Sequence, residues 1–247
     1  MDARLGVIGA GLLGDALAKT WLARTGEAPL VWSRRLGTDW SRILRAQSIA
    51  IAIPGKALLD LVEDSARARE AARQFTGNVF SAAASLSQQS LQRAFPRATA
   101  VCIGPFLIDG VNSIPMLVLR PSDLPVTQWE KARAELEKFG EIDVVEDEEI
   151  FAQISLLGAS FPAVVLAAVK DAADAGLQNL EDPAAIEIGQ RIFYRAVRSL
   201  LANSGTQTEI VTPGGITERG LTSLGDMTSL FETVFKRMRQ RAEDFRV

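Results

Sequence analysis

The 247-residue chain contains no histidine. That absence excludes a Ser-His-Asp triad, a Cys-His pair, a histidine general base and any histidine-ligated metal. Cys102, the single cysteine, cannot form an internal disulfide or a cysteine-only metal cluster, and it fits a reducing compartment. A charge of one sign is lacking too, because 27 Lys and Arg face 30 Asp and Glu, for a formal net charge of −3. Neither nucleic acid nor an anionic membrane surface is the expected partner of such a balance. Hydrophobic residues make up 47% of the chain and charged residues 23%, so a sizeable core is available. At roughly 150 residues per domain the length corresponds to one or two domains. No metal is expected, and chemistry must come from a bound cofactor, from carboxylates or lysines, or from backbone dipoles.

Long hydrophobic runs are few. Gly6 to Leu13 is short, carries three glycines and is broken at Asp15, which does not suit a secretory signal. Ile150 to Val169 has no charged residue and approaches the ~20 residues a membrane span needs. Gln153, Ser155, Gly158, Ser160 and Pro162 interrupt it, so a helix buried in a protein core or dimer is expected. A soluble cytoplasmic protein follows, with no membrane partner.

Residues 1–147 alternate short β-rich runs with helical patterns. The runs are Leu5–Ile8, Leu30–Trp32, Ile49–Ile53, Asn78–Ser81, Thr99–Ile103, Met116–Leu119 and Ile142–Val145. They are nearly continuous apolar stretches, as for parallel strands covered on both faces. Leu13, Leu17, Thr20 and Trp21 share one helix face, and Trp129, Ala132, Leu136 and Phe139 share another. Thr127 and Glu130 have capping-box spacing at the start of the second helix. Strand alternating with helix predicts an α/β doubly wound parallel sheet. From residue 148 to 247 the strand signal is gone, and helices are expected at about 148–177, 184–203 and 217–245. Their apolar faces exceed what a small bundle covers, so a homodimer or higher homo-oligomer is expected. Asn203 to Gly215 is polar and rich in Gly and Pro, hence a loop.

The first informative motif is Gly9-Ala10-Gly11-Leu12-Leu13-Gly14, a G-x-G-x-x-G between the first strand and the first helix. Gly9 permits a tight turn, Gly11 lets a pyrophosphate approach the backbone, and Gly14 lets helix and strand pack closely. The free N–H groups of the helix start face the phosphates. The strand–turn–helix context favours dinucleotide binding over a structural turn. At the end of the second strand, where an NAD site carries an acidic residue, this chain has Ser33-Arg34-Arg35. A hydroxyl and two cations suit a 2′-phosphate, so NADP(H) is the expected cofactor. The alternative is a solvated arginine pair. Small residues Ala52-Ile53-Pro54 and Ala82-Ala83 end the third and fourth strands, where a cofactor ribose and nicotinamide lie against the backbone. Plain strand-end packing reads equally well there.

The second motif is Thr212-Pro213-Gly214-Gly215-Ile216-Thr217, a Pro-Gly-Gly loop entering the last helix. Its backbone N–H groups and the Thr217 hydroxyl form either an anion nest for a small carboxylate or a simple N-cap.

With both motifs in view, the chain resembles the pyrroline-5-carboxylate reductase family. That family begins with the same glycine fingerprint and carries a Ser-Pro-Gly-Gly-x-Thr loop near its end. Asp171-Ala172-Ala173-Asp174-Ala175-Gly176-Leu177 resembles the family's "EALADAG" stretch, and the likeness runs over essentially the whole chain. The resemblance implies a Rossmann-type domain at 1–147 and an all-α dimerisation and substrate domain at 148–247. It implies NAD(P)H-dependent reduction of the cyclic imine 1-pyrroline-5-carboxylate to proline, with Thr212, Gly214, Gly215 and Thr217 at the substrate carboxylate. A protonated imine is already an electrophile, so a missing histidine is no obstacle, and orientation against the nicotinamide is the main task. Ser160 and Thr217 are the candidate hydroxyls for the imine nitrogen. The family's Met-Pro-Asn corresponds to Gly104-Pro105-Phe106, and its Ser-Gly-Ser-Gly-Pro-Ala to Gly158-Ala159-Ser160-Phe161-Pro162-Ala163. Phe106 and Phe161 are therefore expected to crowd the pocket. Two other readings use the same scaffold. One is another NADP oxidoreductase, of the F420-dependent NADP reductase or hydroxyacid type, and the other is an NADP-binding protein without turnover.

Overall fold

The computed structural model describes residues 3–36, 40–106, 113–202 and 227–244. Seven strands form one sheet: β1 (Leu5–Ile8), β2 (Leu30–Trp32), β3 (Ser48–Ile51), β4 (Asn78–Ser81), β5 (Thr99–Pro105), β6 (Met116–Leu119) and β7 (Ile142–Val145). Their spatial order is β2-β1-β3-β4-β5-β6-β7. Helices α1 (Leu12–Thr25), α2 (Gly55–Glu63), α3 (Ala66–Gln74), α4 (Gln88–Ala94) and α5 (Val126–Leu136) cover its two faces. This is a Rossmann-like α/β arrangement followed by a helical region, as the sequence leads one to expect.

The strand residues sort by alternation. Leu5, Val7, Ala50, Phe80, Val101 and Ile103 join Leu17 and Trp21 of α1 and Trp129, Ala132 and Leu136 of α5 in one core. Ile8, Ile49, Ile51, Val79, Ala100 and Cys102 join Leu58, Leu61 and Val62 of α2, Ala68 and Ala72 of α3 and Leu91 of α4 in the other. Each fully buried aliphatic side chain contributes about 1.5–3 kcal/mol, so a sheet covered on both faces supplies the main stability of this unit. The ring of Trp21 meets Phe139 at 5.3 Å between centroids, and the Lys138 ammonium lies 5.3 Å over the Trp21 ring.

Three local expectations are corrected. First, β6 runs antiparallel to β5, although it is parallel to β7. The connection, residues 106–115, is shorter than the crossover of roughly a dozen residues that a parallel pair needs. Second, Thr127 does not cap α5, because the helix starts two positions after Leu124, with Pro125 at the N-cap and no side-chain cap bond. Proline fixes φ near the helical value, which moves the start upstream and leaves Thr127 inside the first turn. Third, β3 ends at Ile51, so Ala52 and Ile53 belong to the turn beyond it.

The chain's contacts divide into two units, Met1–Ser160 with Met238–Val247, and Phe161–Arg237. Strand β7 ends at Val145, and α6 (Glu148–Ser155) follows, capped by the Asp147 carboxylate, which accepts from the Ile150 N–H at 2.9 Å. A π turn, Leu156–Ser160, joins it to α7 (Phe161–Leu177). Helices α8 (Pro183–Ala202) and α9 (Met227–Asp244) come after. In the second unit Gly189 of α8 lacks the Cβ that would stand 2.5 Å from a Leu177 methyl, so α7 and α8 close together there. Phe161 packs edge-on against Phe231 and Phe235, at 5.9 and 5.5 Å.

The stretch Glu148–Leu177 is long and apolar enough to cross a membrane by length and composition, with a mean hydropathy of 1.9. Of the two settings expected for it, a protein core or a dimer, the chain's own core does not enclose it among the described residues. Ile150, Ile154, Leu157 and Leu166 are exposed, as are Ile188 and Ile192 of α8. Phe151 of α6 packs against the core beside α2–α4.

Candidate functional site

Strand β1 is flanked by β2 on one side and β3 on the other, so the connections from β1 and β3 leave in opposite directions. The crevice beyond the carboxyl ends of such strands is where open α/β sheets bind ligands. The glycine motif occupies it. Gly9 has φ +117, a left-handed conformation that a side chain strongly disfavours. Its N–H donates to the Trp32 carbonyl at 2.8 Å, which fixes the turn against β2. A Cβ on Gly14 would overlap the Gly9 carbonyl oxygen, so only glycine lets α1 approach β1 this closely. Gly11 is different, since a Cβ there would meet nothing within 4 Å. The space over Gly11 is open, and Leu12 beside it is 82% exposed. Gly11 is the N-cap and brings no side chain to bond the first N–H groups of α1. Those donors, at the positive end of a 14-residue helix, are oriented for an anion. Backbone clearance, open space and unused donors together fit a pyrophosphate.

Ser33 follows β2 directly, and Arg34 and Arg35 open a short 3-10 turn with both side chains exposed. The turn places two cations at the end of the strand next to β1, on the same edge of the crevice. Ala52 and Ile53 lie against Gly9, and the Ala52 N–H continues the ladder to the Ile8 carbonyl at 2.8 Å. The Ala82 N–H does the same to Ile51 at 2.9 Å. Pro54 caps α2 with no side-chain bond and is exposed. Ala10 is exposed in the glycine turn. The structure therefore brings the glycine turn, Ser33, and the ends of β3 and β4 to one side of the sheet.

A cavity of about 190 Å³ opens there. Leu13 of the glycine motif lines it, together with Ala82, Ala83, Ala84 and Leu86 after β4, and with Ile103, Gly104 and Pro105 at the end of β5. Its other wall is α6 and the π turn, including Phe151, Ala152, Ser155, Leu156, Ala159 and Ser160. The walls are held by cross-links. Gln88 donates to the Ala100 carbonyl at 2.8 Å and accepts from the Cys102 N–H at 3.2 Å, while its own N–H donates to the Glu148 carboxylate at 3.2 Å. This ties α4, β5 and α6 together around the opening. At the rim Arg239 pairs with Glu149 at 3.1 Å and Glu243 at 3.3 Å. Such exposed pairs contribute roughly 0–1 kcal/mol each. Their effect is to place polar charge around an otherwise apolar space.

Of the residues singled out in the sequence, Leu13, Ala82, Ala83 and Ser160 line this cavity. Ser160 is exposed at the end of the π turn. Thr212, Gly214, Gly215 and Thr217 lie outside the described residues. The expected crowding by two phenylalanines takes another form. The Phe106 ring rests on Gly158, where a Cβ would stand 2.7 Å from its Cδ1, and Phe161 is engaged with Phe231 and Phe235. Among the described residues the ring on the lining is Phe151. Gly104 and Pro105, matched above to the family's Met-Pro-Asn, line the cavity as well, whereas sequence reasoning missed Ser155 as a site residue. Ser155 Oγ is buried without a hydrogen-bond partner. A Cβ on Gly104 would stand 2.6 Å from that oxygen. No local pattern signals this pair, which depends on how α6 lies on β5.

No family model matches the sequence, and no curated protein matches it. Solved structures do match in fold. A pyrroline-5-carboxylate reductase from Coxiella burnetii superposes with a TM-score of 0.75 at 16% identity, covering 100% of both chains. A pyrroline carboxylate reductase from Plasmodium falciparum with NADP bound gives 0.74 at 15% identity, over 99% of this chain and 98% of the other. An imine reductase from Myxococcus stipitatus in complex with NADP+ gives 0.53 at 17% identity, over 98% of this chain and 93% of the other. Over its whole length the chain has the fold of pyrroline-5-carboxylate reductases.

Proposed function

We propose that the protein is an NADPH-dependent reductase of a small carbon–nitrogen double bond, with 1-pyrroline-5-carboxylate as the first candidate substrate. One observation carries this reading. The glycine cradle and the apolar cavity are continuous through Leu13, so a phosphate-binding turn leads directly into a space of about 190 Å³ suited to a small ring. The likeness in fold to pyrroline-5-carboxylate reductases and an imine reductase supports the same chemistry.

Gly9 to Gly14 would hold the pyrophosphate on the N–H groups of α1, while Ser33, Arg34 and Arg35 would take the 2′-phosphate. Ala52, Ile53, Pro54, Ala82 and Ala83 would leave room for the ribose and nicotinamide. Bound there, the reduced dinucleotide supplies the hydride. The protein's own residues orient the substrate and exclude water. Leu13, Ile103 and Leu156 strip the cavity of solvent, and Thr212, Gly214, Gly215 and Thr217 are the proposed carboxylate holders. No histidine is required, because a protonated imine is already electrophilic.

The exposed apolar faces of α6, α7 and α8 are proposed to be covered by a second copy, giving a homodimer or higher homo-oligomer. Ile192 is 61% exposed and Leu166 63% exposed, which a solvated monomer does not favour. A cytoplasmic location, with no membrane or nucleic-acid partner, completes the reading.

The test is NADPH oxidation with 1-pyrroline-5-carboxylate, beside carboxylate-free cyclic imines and small keto acids. Turnover of an imine with NADPH preferred over NADH is the expected result. Tight NADPH binding without turnover of any of them would refute the reductase reading.

A further inference from the structure

Resting on that reductase reading, we infer that the Ser155 hydroxyl is the hydrogen-bond partner of the substrate's imine nitrogen. Ser155 is the last residue of α6, and its Oγ is buried and unpartnered. A serine within a helix ordinarily turns its hydroxyl back to a carbonyl of the preceding turn. Ser155 does not, although a buried hydroxyl left without a bond is destabilising.

Two further features accommodate that hydroxyl. Gly104 on β5 lacks the Cβ that would stand 2.6 Å from Ser155 Oγ, so the strand leaves a gap where the oxygen lodges. The π turn begins at the next residue, Leu156, and such single turns recur where a helix serves a functional site. Ser155 and Gly104 both line the cavity, among the apolar groups of Ile103 and Leu156. A polar atom in that surrounding has no solvent to satisfy it. Ser160, at the far end of the same turn, is exposed.

A protonated imine carries one N–H. Rotation of Ser155 about its Cα–Cβ bond turns Oγ from Gly104 toward the cavity, where it accepts that N–H. Hydride then adds with its electron pair to the imine carbon, and the carbon–nitrogen π pair withdraws onto nitrogen. The iminium charge is neutralised and the product is the amine. Ser155 neither gains nor loses a proton. It fixes the ring orientation and favours the protonated form.

The experiment compares wild type, S155A and S155T with NADPH and 1-pyrroline-5-carboxylate from neutral to alkaline pH. NADPH Kd and thermal midpoint are measured on the same samples. In S155A, kcat/KM should fall about tenfold or more, the scale of one lost hydrogen bond to a charged group. Its alkaline limb should move to lower pH, because the bound imine loses its proton sooner. NADPH Kd should change less than about twofold, and the midpoint should not fall, since the deleted hydroxyl made no bond. S155T should restore most of the activity. An unchanged kcat/KM and pH profile in S155A overturns the assignment while leaving the reductase reading intact. So does a lowered midpoint in S155A that S155T restores, which marks a structural hydroxyl. No turnover of any imine by the wild type overturns the reductase reading, and this assignment with it.

Discussion

The Gly14 Cα faces the Gly9 carbonyl so closely that a Cβ at position 14 would overlap its oxygen and lie 2.8 Å from its carbon. Gly11, three residues earlier, has open space where its own Cβ would stand. Two glycines of one motif thus do different work. Gly14→Ala should destabilise the fold by about 1–3 kcal/mol, the cost of forcing an extra carbon into packed structure. Gly11→Ala should leave the thermal midpoint nearly unchanged yet weaken NADPH binding tenfold or more, because its Cβ occupies space needed by the ligand. Thermal melts paired with NADPH titrations separate the two.

Arg34→Ala and Arg35→Ala address the choice of dinucleotide. A charge-assisted bond to a phosphate contributes roughly 1.5–3 kcal/mol, so each substitution should raise the NADPH Kd by about tenfold to a hundredfold. The NADH Kd should move little. Equal effects on both cofactors would show that the arginines do not read the 2′-phosphate.

The ring of Phe106 rests on Gly158. Gly158→Ala should therefore lower stability by about 1–3 kcal/mol, an overpacking cost. Phe106→Leu in the same chain should return much of that loss, because the double variant removes the colliding ring. A thermodynamic cycle over the two sites measures the coupling. Additive effects would mean that the ring moves aside freely.

Leu166→Glu and Ile192→Glu place charge on the exposed apolar faces of α7 and α8. If those faces meet a second copy, either substitution should shift the protein toward a monomer in light scattering. A wild type already at monomer mass would remove the basis for this prediction.

Much of the α/β unit was legible in the sequence because its strands are nearly continuous apolar runs and its helices carry a clear stripe. Leu17 and Trp21, Trp129 and Leu136 are all buried as their spacing predicts. The glycine turn was legible for a related reason, since φ +117 at Gly9 and the contact at Gly14 leave no other residue type. Strand direction was less accessible. Nothing in Met116–Leu119 says which way it runs beside Thr99–Pro105, and the short connection decides it.

The local periods, the glycine turn and the exclusion of histidine chemistry could be read from the chain alone, because each depends on residue type at short spacing. What closes the cavity depended on long-range packing. Gly104 and Ser155 are far apart in the chain, and neither residue type announces a site. Docking of α6 on β5 brings them together and strands one hydroxyl in an apolar wall. Ile150 and Ile154 of α6 stay exposed, since a helix period shows that a face is apolar but not what it meets.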